Sequence, residues 1–281
     1  MHNAAFAALG LNWRYVACLV DPRNLRAAIA GAQTMGFAGL NLTVPHKVLA
    51  LDMVDALDTS AKVWGAGNTI RFEGRSAQSD WLPLREFPAD PPVEVRSVGF
   101  NTDADGLINA LREDLQLEVR GKRVLLLGAG GAGRSAALKL VAEGVSVLYL
   151  VNRTFSKLLE LQAEIRQNFP KACVALNYPA DRTTKLDLVL NATSLGLKAE
   201  DGLPLDEQQF SLSQAQAVYD MIYRPAETPL LWAARAAGCR TANGLGMLLH
   251  QGARAFEIWT GQTAPLAVMR RALEETIYQP A

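Results

Sequence analysis

The residues best suited to chemistry lie in one run, Val124 to Gly133, which reads V-L-L-L-G-A-G-G-A-G. An apolar strand feeds a G-x-G-x-x-G turn, and a helical pattern follows. Gly128 permits the tight turn, Gly130 lets the backbone approach a pyrophosphate, and Gly133 lets helix and strand pack closely. Free N–H groups at the helix start then face the anion. The run therefore predicts a dinucleotide site formed by Gly128, Ala129, Gly130, Gly131, Ala132 and Gly133. The end of the next strand decides which dinucleotide is bound. Many NAD enzymes place Asp or Glu there to hold the ribose 2′-OH. Here the strand ends in Val151, Asn152, Arg153 and Thr154, with Lys157 beyond and no carboxylate before Glu160. Arg153 can pair with a 2′-phosphate, and Asn152, Thr154 and Lys157 add donors, so NADP is expected over NAD. A third cluster, Asn191 to Gly196 (N-A-T-S-L-G), follows the apolar run Leu186 to Leu190. Read alone, it is either a plain polar turn or, through Thr193 and Ser194, a contact for the nicotinamide half.

The first half of the chain carries a second set of polar groups: Asn41 to Lys47 (N-L-T-V-P-H-K), Gly65 to Thr69 (G-A-G-N-T) and Gly99 to Gly106 (G-F-N-T-D-A-D-G). Lys47 in isolation is one of 28 cations and reads as a surface lysine. Its setting, after a strand and a turn and among Thr, Pro and His, raises its interest. Asp103 sits at the entry to the dinucleotide region. His46 adjoins Lys47, but neighbours on a helix point apart, so it is read as structural. His2 and His250 lack a matching set of ligands, and no metal is expected.

The elements that must position these groups alternate. Asn3 to Leu9, Asn24 to Met35 and Asp105 to Leu115 read as helices. Trp13 to Val20, Leu40 to Val44, Asn68 to Phe72 and Val98 to Asn101 read as strands. Arg123 to Leu127, Val145 to Val151, Leu186 to Leu190 and Val218 to Ile222 are further strands, with helices at Gly131 to Glu143 and Thr154 to Gln167. The tail, Gly244 to Trp259 and Pro265 to Ile277, is helical. Such alternation predicts an α/β fold with a parallel sheet covered on both faces. One stretch breaks the pattern: Ser76 to Pro92 holds Pro83, Pro88, Pro91 and Pro92 and reads as a surface excursion, anchored by Trp81, Leu82, Leu84 and Phe87. In 281 residues Lys plus Arg equals Asp plus Glu, 28 against 28. A neutral chain has no bulk pull on nucleic acid or anionic membrane, so neither is expected as a partner. Cys18, Cys173 and Cys239 are sparse and unpaired in spacing, which suits a cytoplasmic protein. No apolar run reaches membrane-spanning length.

Taken together, N-L-T-V-P-H-K, G-A-G-N-T, G-F-N-T-D-A-D-G, G-A-G-G-A-G, N-R-T, N-A-T-S-L-G, Y-D-M-I-Y (Tyr219 to Tyr223) and G-M-L-L-H-Q-G (Gly246 to Gly252) resemble the shikimate dehydrogenase family, in the family's order and over most of the chain. The resemblance implies two α/β domains: a substrate-binding domain, 1–102 plus 243–281, and a Rossmann-type NADP-binding domain, 103–242. It implies Lys47 and Asp103 as the catalytic pair, with Thr43, Asn68, Asp103, Tyr223 and Gln251 around the substrate. Thr193, Ser194, Met221, Gly244 and Met247 would flank the cofactor. The implied reaction is reversible reduction of 3-dehydroshikimate to shikimate by NADPH. The residue types suit it, since Lys47 could pass a proton to the forming alkoxide while Asp103 orients it.

The family pattern opens with a strand and an S-x-S motif whose serines bind the substrate carboxylate, and this sequence starts just after that point. The expectation is an exposed sheet edge, which favours a homodimer, and weak substrate binding. The excursion Ser76 to Pro92 also departs from the family, which passes almost directly between the flanking strands. A quinate/shikimate dehydrogenase of broader specificity and a non-catalytic dinucleotide-binding paralogue are the competing readings.

Overall fold

Leu125, Leu126 and Leu127 follow one another with no exposed side, as do Leu188, Val189 and Leu190. Strands of this kind must be covered on both faces. The computed structural model describes residues 1–88, 92–198 and 200–278. Within it the strands are β1 (Gly39–Asn41), β2 (Ala56–Leu57), β3 (Thr69–Arg75), β4 (Trp81–Pro83), β5 (Val95–Phe100), β6 (Arg123–Leu127), β7 (Val147–Val151), β8 (Val174–Leu176), β9 (Leu186–Asn191), β10 (Ala215–Asp220) and β11 (Arg240–Asn243). The helices are α1 (His2–Ala8), α2 (Leu25–Thr34), α3 (His46–Leu49), α4 (Thr59–Trp64), α5 (Asp103–Leu115), α6 (Gly131–Ala142), α7 (Phe155–Asn168), α8 (Pro229–Ala236), α9 (Leu245–Thr260) and α10 (Leu266–Tyr278). The chain divides into two compact units, Met1–Ala104 with Leu249–Leu273, and Asp105–Leu248 with Glu274–Ala281.

The second unit holds the expected Rossmann-type sheet. Its strand order is β11-β10-β9-β6-β7-β8, and every neighbouring pair is parallel. From β6 the chain steps outward to β7 and β8, then returns to the other side for β9, β10 and β11. The order reverses between β6 and β9, the switch point at which open α/β sheets take ligands. Leu125, Leu127, Val189 and Val218 of the sheet pack with Leu230, Leu231 and Ala234 of α8.

The first unit differs from the expected parallel pattern. Its sheet runs β1-β3-β5-β2, with β4 also on β3, and only β2 and β5 are parallel. The reason is connectivity: β3 passes to β5 through the excursion, without the helical crossover that parallel neighbours require. One face is closed by Leu25, Ile29 and Ala32 of α2 against Ile70 and Phe72 of β3. Trp259 of α9 sits over β1. Its indole N–H donates to the Ile70 carbonyl at 2.9 Å, and a Cβ at Gly39 would lie 2.1 Å from that nitrogen.

Trp13 to Val20 is not a strand. Strand propensity is realised only against a neighbour. Here the Asn3 side chain takes the place of one, accepting from the Tyr15 N–H at 2.7 Å and donating to its carbonyl at 2.9 Å. The described part of the excursion, by contrast, is packed. β4 extends the sheet beside the far end of β3, Leu84 joins the α2 core, and Arg85 donates to the Trp259 carbonyl at 2.9 Å. Pro91 lies outside the described residues. No helix among the described residues is long and apolar enough to cross a membrane.

His2 is buried, stacked 4.4 Å from the Tyr15 ring, and burial pushes its pKa down to about 4. The neutral ring is therefore the folded form, while the unfolded chain protonates near 6.5. This contribution is complete above pH 6.5 and is lost as pH falls toward 4, by about 3 kcal/mol in total. Thermal melts should show a steeper fall in Tm over that window for the wild type than for His2→Phe.

Candidate active site

Lys47 lies in α3, directly after the turn that follows β1. Its Nζ donates to Asp103 Oδ2 at 2.7 Å, and both side chains are mostly covered. Asp103 opens α5 at the end of β5. Its other oxygen, Oδ1, accepts from Asn68 Nδ2 at 3.0 Å. Asn68 is buried and precedes β3. Its amide nitrogen also faces Gln251 Oε1 at 3.2 Å, which brings α9 to the same point. Four groups far apart in sequence thus share one hydrogen-bonded network in the first unit. A carboxylate between an ammonium and an amide holds both in fixed directions through charge-assisted bonds.

Thr102 was not among the expected site residues, yet it sets the orientation of Asn68. Its backbone N–H donates to Asn68 Oδ1 at 2.8 Å, so the amide nitrogen must face Asp103. The polar run N-T-D was visible in sequence, but the role of its middle residue depends on a main-chain direction. Asn41 adds support, donating to Thr69 Oγ1 at 3.0 Å while accepting from the Tyr15 hydroxyl at 3.1 Å. Thr43 lies four residues before Lys47, and its exposed hydroxyl joins no hydrogen bond among the described residues.

In the second unit the glycine run does what its spacing demands. Gly128 has φ +104 and its N–H donates to the Val151 carbonyl at 2.7 Å. Gly130 is the N-cap of α6 and no side chain among the described residues caps that helix, which leaves the first-turn N–H groups, with exposed Gly131 and Ala132, open to an anion. Gly133 packs so closely that a Cβ would meet the Gly128 carbonyl oxygen at 2.0 Å. Gly133→Ala must therefore move backbone. It should cost roughly 1–3 kcal/mol, a fall in Tm of about 3–10 °C, together with loss of NADP+ binding in calorimetry.

Asn152 ties the end of β7 to this turn, accepting from the Ala129 N–H at 3.0 Å and donating to the Thr154 carbonyl at 2.9 Å. Arg153, Thr154 and Lys157 are exposed around the start of α7, which no side chain among the described residues caps. The Asn191 to Gly196 loop abuts the glycine turn, with Thr193 Cγ2 3.0 Å from the Cβ position of Gly128. This places Thr193 at the switch point, with exposed Ser194 beside it in sequence. Met221 donates its N–H to the Asn191 carbonyl at 3.0 Å, Gly244 lies against the Met221 carbonyl, and Met247 N–H meets the Tyr219 hydroxyl at 3.2 Å. Tyr223 is partly exposed and belongs to this unit, whereas the other expected substrate residues belong to the first.

Residues 1–70 match the family described as shikimate dehydrogenase substrate binding domain, 110–197 match shikimate / quinate 5-dehydrogenase, and 244–274 match the shikimate 5'-dehydrogenase C-terminal domain. The shikimate dehydrogenase (NADP(+)) of Methanopyrus kandleri is 37% identical over 98% of this chain and 89% of its own length. That of Moorella thermoacetica is 41% identical over 99% and 88%. The chain belongs to the shikimate dehydrogenase family. The crystal structure of the Thermus thermophilus enzyme in complex with NADP(H) and shikimate is a further relative. It superposes with a TM-score of 0.78 at 32% identity, over 98% of this chain and 92% of that one. The family's fold is the α/β arrangement described above, and its Rossmann-type domain corresponds to the parallel sheet of the second unit.

Proposed function

We propose that this chain is an NADP-dependent shikimate dehydrogenase that reversibly reduces 3-dehydroshikimate to shikimate in chorismate and aromatic amino acid biosynthesis. The observation that carries the proposal is the network of Lys47, Asp103, Asn68 and Gln251. Residues 1–102 with 243–281 form the substrate-binding domain, and 103–242 the NADP-binding domain. The cofactor, when bound, supplies the hydride to C3 of the ring. Gly128 to Gly133 hold its pyrophosphate, and Asn152, Arg153, Thr154 and Lys157 its 2′-phosphate. The fit rests on the uncapped start of α6 and on a turn too tight for any side chain at Gly133.

Lys47 Nζ delivers the proton to the ketone oxygen, and in the reverse direction accepts it from the hydroxyl. Asp103 holds Lys47 in line and accepts from a neighbouring substrate hydroxyl. Asn68 and Gln251 bind further hydroxyls, as do Thr43 and Tyr223. Thr193, Ser194, Met221, Gly244 and Met247 flank the nicotinamide. A non-catalytic paralogue has no need of this assembled network. The broader family description over 110–197 names quinate as well, so quinate is the competing substrate. The sparse free cysteines suit the cytoplasm, and a homodimer is proposed, to be checked by light scattering.

The test is NADP+ reduction by the full chain, followed by NADPH absorbance, with shikimate and with quinate over a wide concentration range. Saturable turnover preferring shikimate is expected. No turnover from a protein that still binds NADP+ would overturn the assignment.

A further inference from the structure

Asp220 ends β10 with no solvent exposure, and burial pushes its carboxyl up from the ordinary carboxylate range. Its hydrogen-bond partners among the described residues are all neutral. Oδ1 accepts from Asn191 Nδ2 and from the Ile222 N–H, each at 3.0 Å, and Oδ2 accepts from the Thr228 hydroxyl at 2.7 Å. A buried carboxylate facing no cation is expensive to retain for stability alone. Its three partners lie in three different segments at the carboxyl end of the sheet. Asn191 begins the loop in which its own Oδ1 holds Thr193 through the backbone N–H at 3.0 Å and the hydroxyl at 2.8 Å. Ile222 lies between Met221 and Tyr223, and its carbonyl accepts from the Gly244 N–H at 3.1 Å. Thr228 caps α8 and presses on Gly196, whose Cβ position is 3.2 Å from Thr228 Cβ. Asp220 thus fastens together the segments that bear Thr193, Ser194, Met221, Tyr223 and Gly244.

We infer that Asp220 is a positioning residue for the nicotinamide half of the cofactor: by clamping the three segments, it fixes the surface against which the ring lies without touching it. This rests on the proposed reading that those segments meet the nicotinamide. Loosening the clamp should release the ring while leaving the pyrophosphate and 2′-phosphate sites intact. Those sites stand on the turn after β6 and on the start of α7, which Asp220 does not bond; the clamped loop touches the turn at Ala192 and Thr193, and Ala192 is held there independently by donating its N–H to the Leu127 carbonyl at 2.8 Å.

Calorimetry on the full chain compares NADP+ with 2′-phospho-ADP-ribose, the same molecule without the nicotinamide ring. Asp220→Ala should weaken NADP+ about tenfold, the scale of one buried donor left unsatisfied, with 2′-phospho-ADP-ribose unchanged within about twofold. Asp220→Asn, which keeps an acceptor for Asn191 and Ile222, should restore NADP+ affinity. In shikimate oxidation Asp220→Ala should lower kcat about 10–100-fold with little change in the shikimate KM. Should Asp220→Ala fail to fold, Thr228→Ala removes one restraint and should show the same asymmetry at about threefold. Equal loss for both ligands would make Asp220 a plain structural residue, and no loss would make it idle. A wild type that binds NADP+ no tighter than the fragment would also overturn the inference. A wild type that fails to oxidise shikimate would instead overturn the proposed reaction, and the binding comparison would still decide the role of Asp220.

Discussion

Lys47→Ala is expected to lower kcat for shikimate oxidation by about 10²–10⁴-fold, the usual worth of a positioned acid–base group, while NADP+ affinity stays within about twofold of wild type. The separation follows from where the residue stands. Lys47 is in the first unit, bonded to Asp103, and every proposed phosphate-binding residue is in the second. Removing the ammonium leaves Asp103 with its bond to Asn68, so the carboxylate stays in place but faces the reacting oxygen with no proton to offer. Lys47→Arg should not rescue, because a planar guanidinium does not give up a proton near neutral pH. Steady-state kinetics with calorimetric NADP+ binding checks both statements. A parallel loss of turnover and cofactor affinity would make Lys47 a structural residue.

Arg153→Ala should weaken NADPH by about 10–100-fold and NADH by less than about threefold, so that the preference between them collapses. Arg153 is exposed at the end of β7, and no ion pair among the described residues engages it. Its guanidinium is therefore available to the two extra charges of a 2′-phosphate, and an adenosine ribose without that phosphate gives it nothing to pair with. Exposed charge pairs are screened by salt, so the NADPH effect should shrink as ionic strength rises. Measured kcat/KM for the two cofactors at low and high salt tests the argument. An equal effect on both cofactors would place Arg153 elsewhere in the site.

The centre of the parallel sheet was legible in sequence because β6 and β9 are almost wholly buried and read as continuous apolar runs, whereas the edge strands β8 and β11, three and four residues long and only partly buried, carried no such run and were not expected. Arg123–Leu127 matches its expected bounds, and its neighbours shift by only a few residues. The first unit was harder to read. Trp13 to Val20 has the composition of a strand, but composition cannot supply a neighbour, and Asn3 satisfies Tyr15 instead. β2 is two residues long and β4 three, below the length at which alternation is visible. α8 could have been found, since Thr228 followed by Pro229 is a cap and first-turn pair. Within the site, the glycine turn carried a local signal, whereas Lys47 in isolation reads as a surface lysine and its role comes from the family resemblance. The Asp220 clamp carried no signal, because its bond to Asn191 spans 29 residues and exists only once β9 and β10 lie side by side.

The indole of Trp259, wedged over Gly39, belongs to an uneven distribution of chromophores. Trp13, Trp64, Trp81 and Trp259 all lie in the first unit, and Trp232, 67% exposed, is the sole tryptophan of the second. Indole emission shifts to the red when a sheltered ring meets water, and Trp232 has almost no shelter to lose. Intrinsic fluorescence thus follows the melting of the unit that carries Lys47 and is nearly blind to the other, whereas far-ultraviolet dichroism sums over both. Recording the two signals on one sample would separate a protein whose halves unfold in concert from one in which they let go in turn, with no label added.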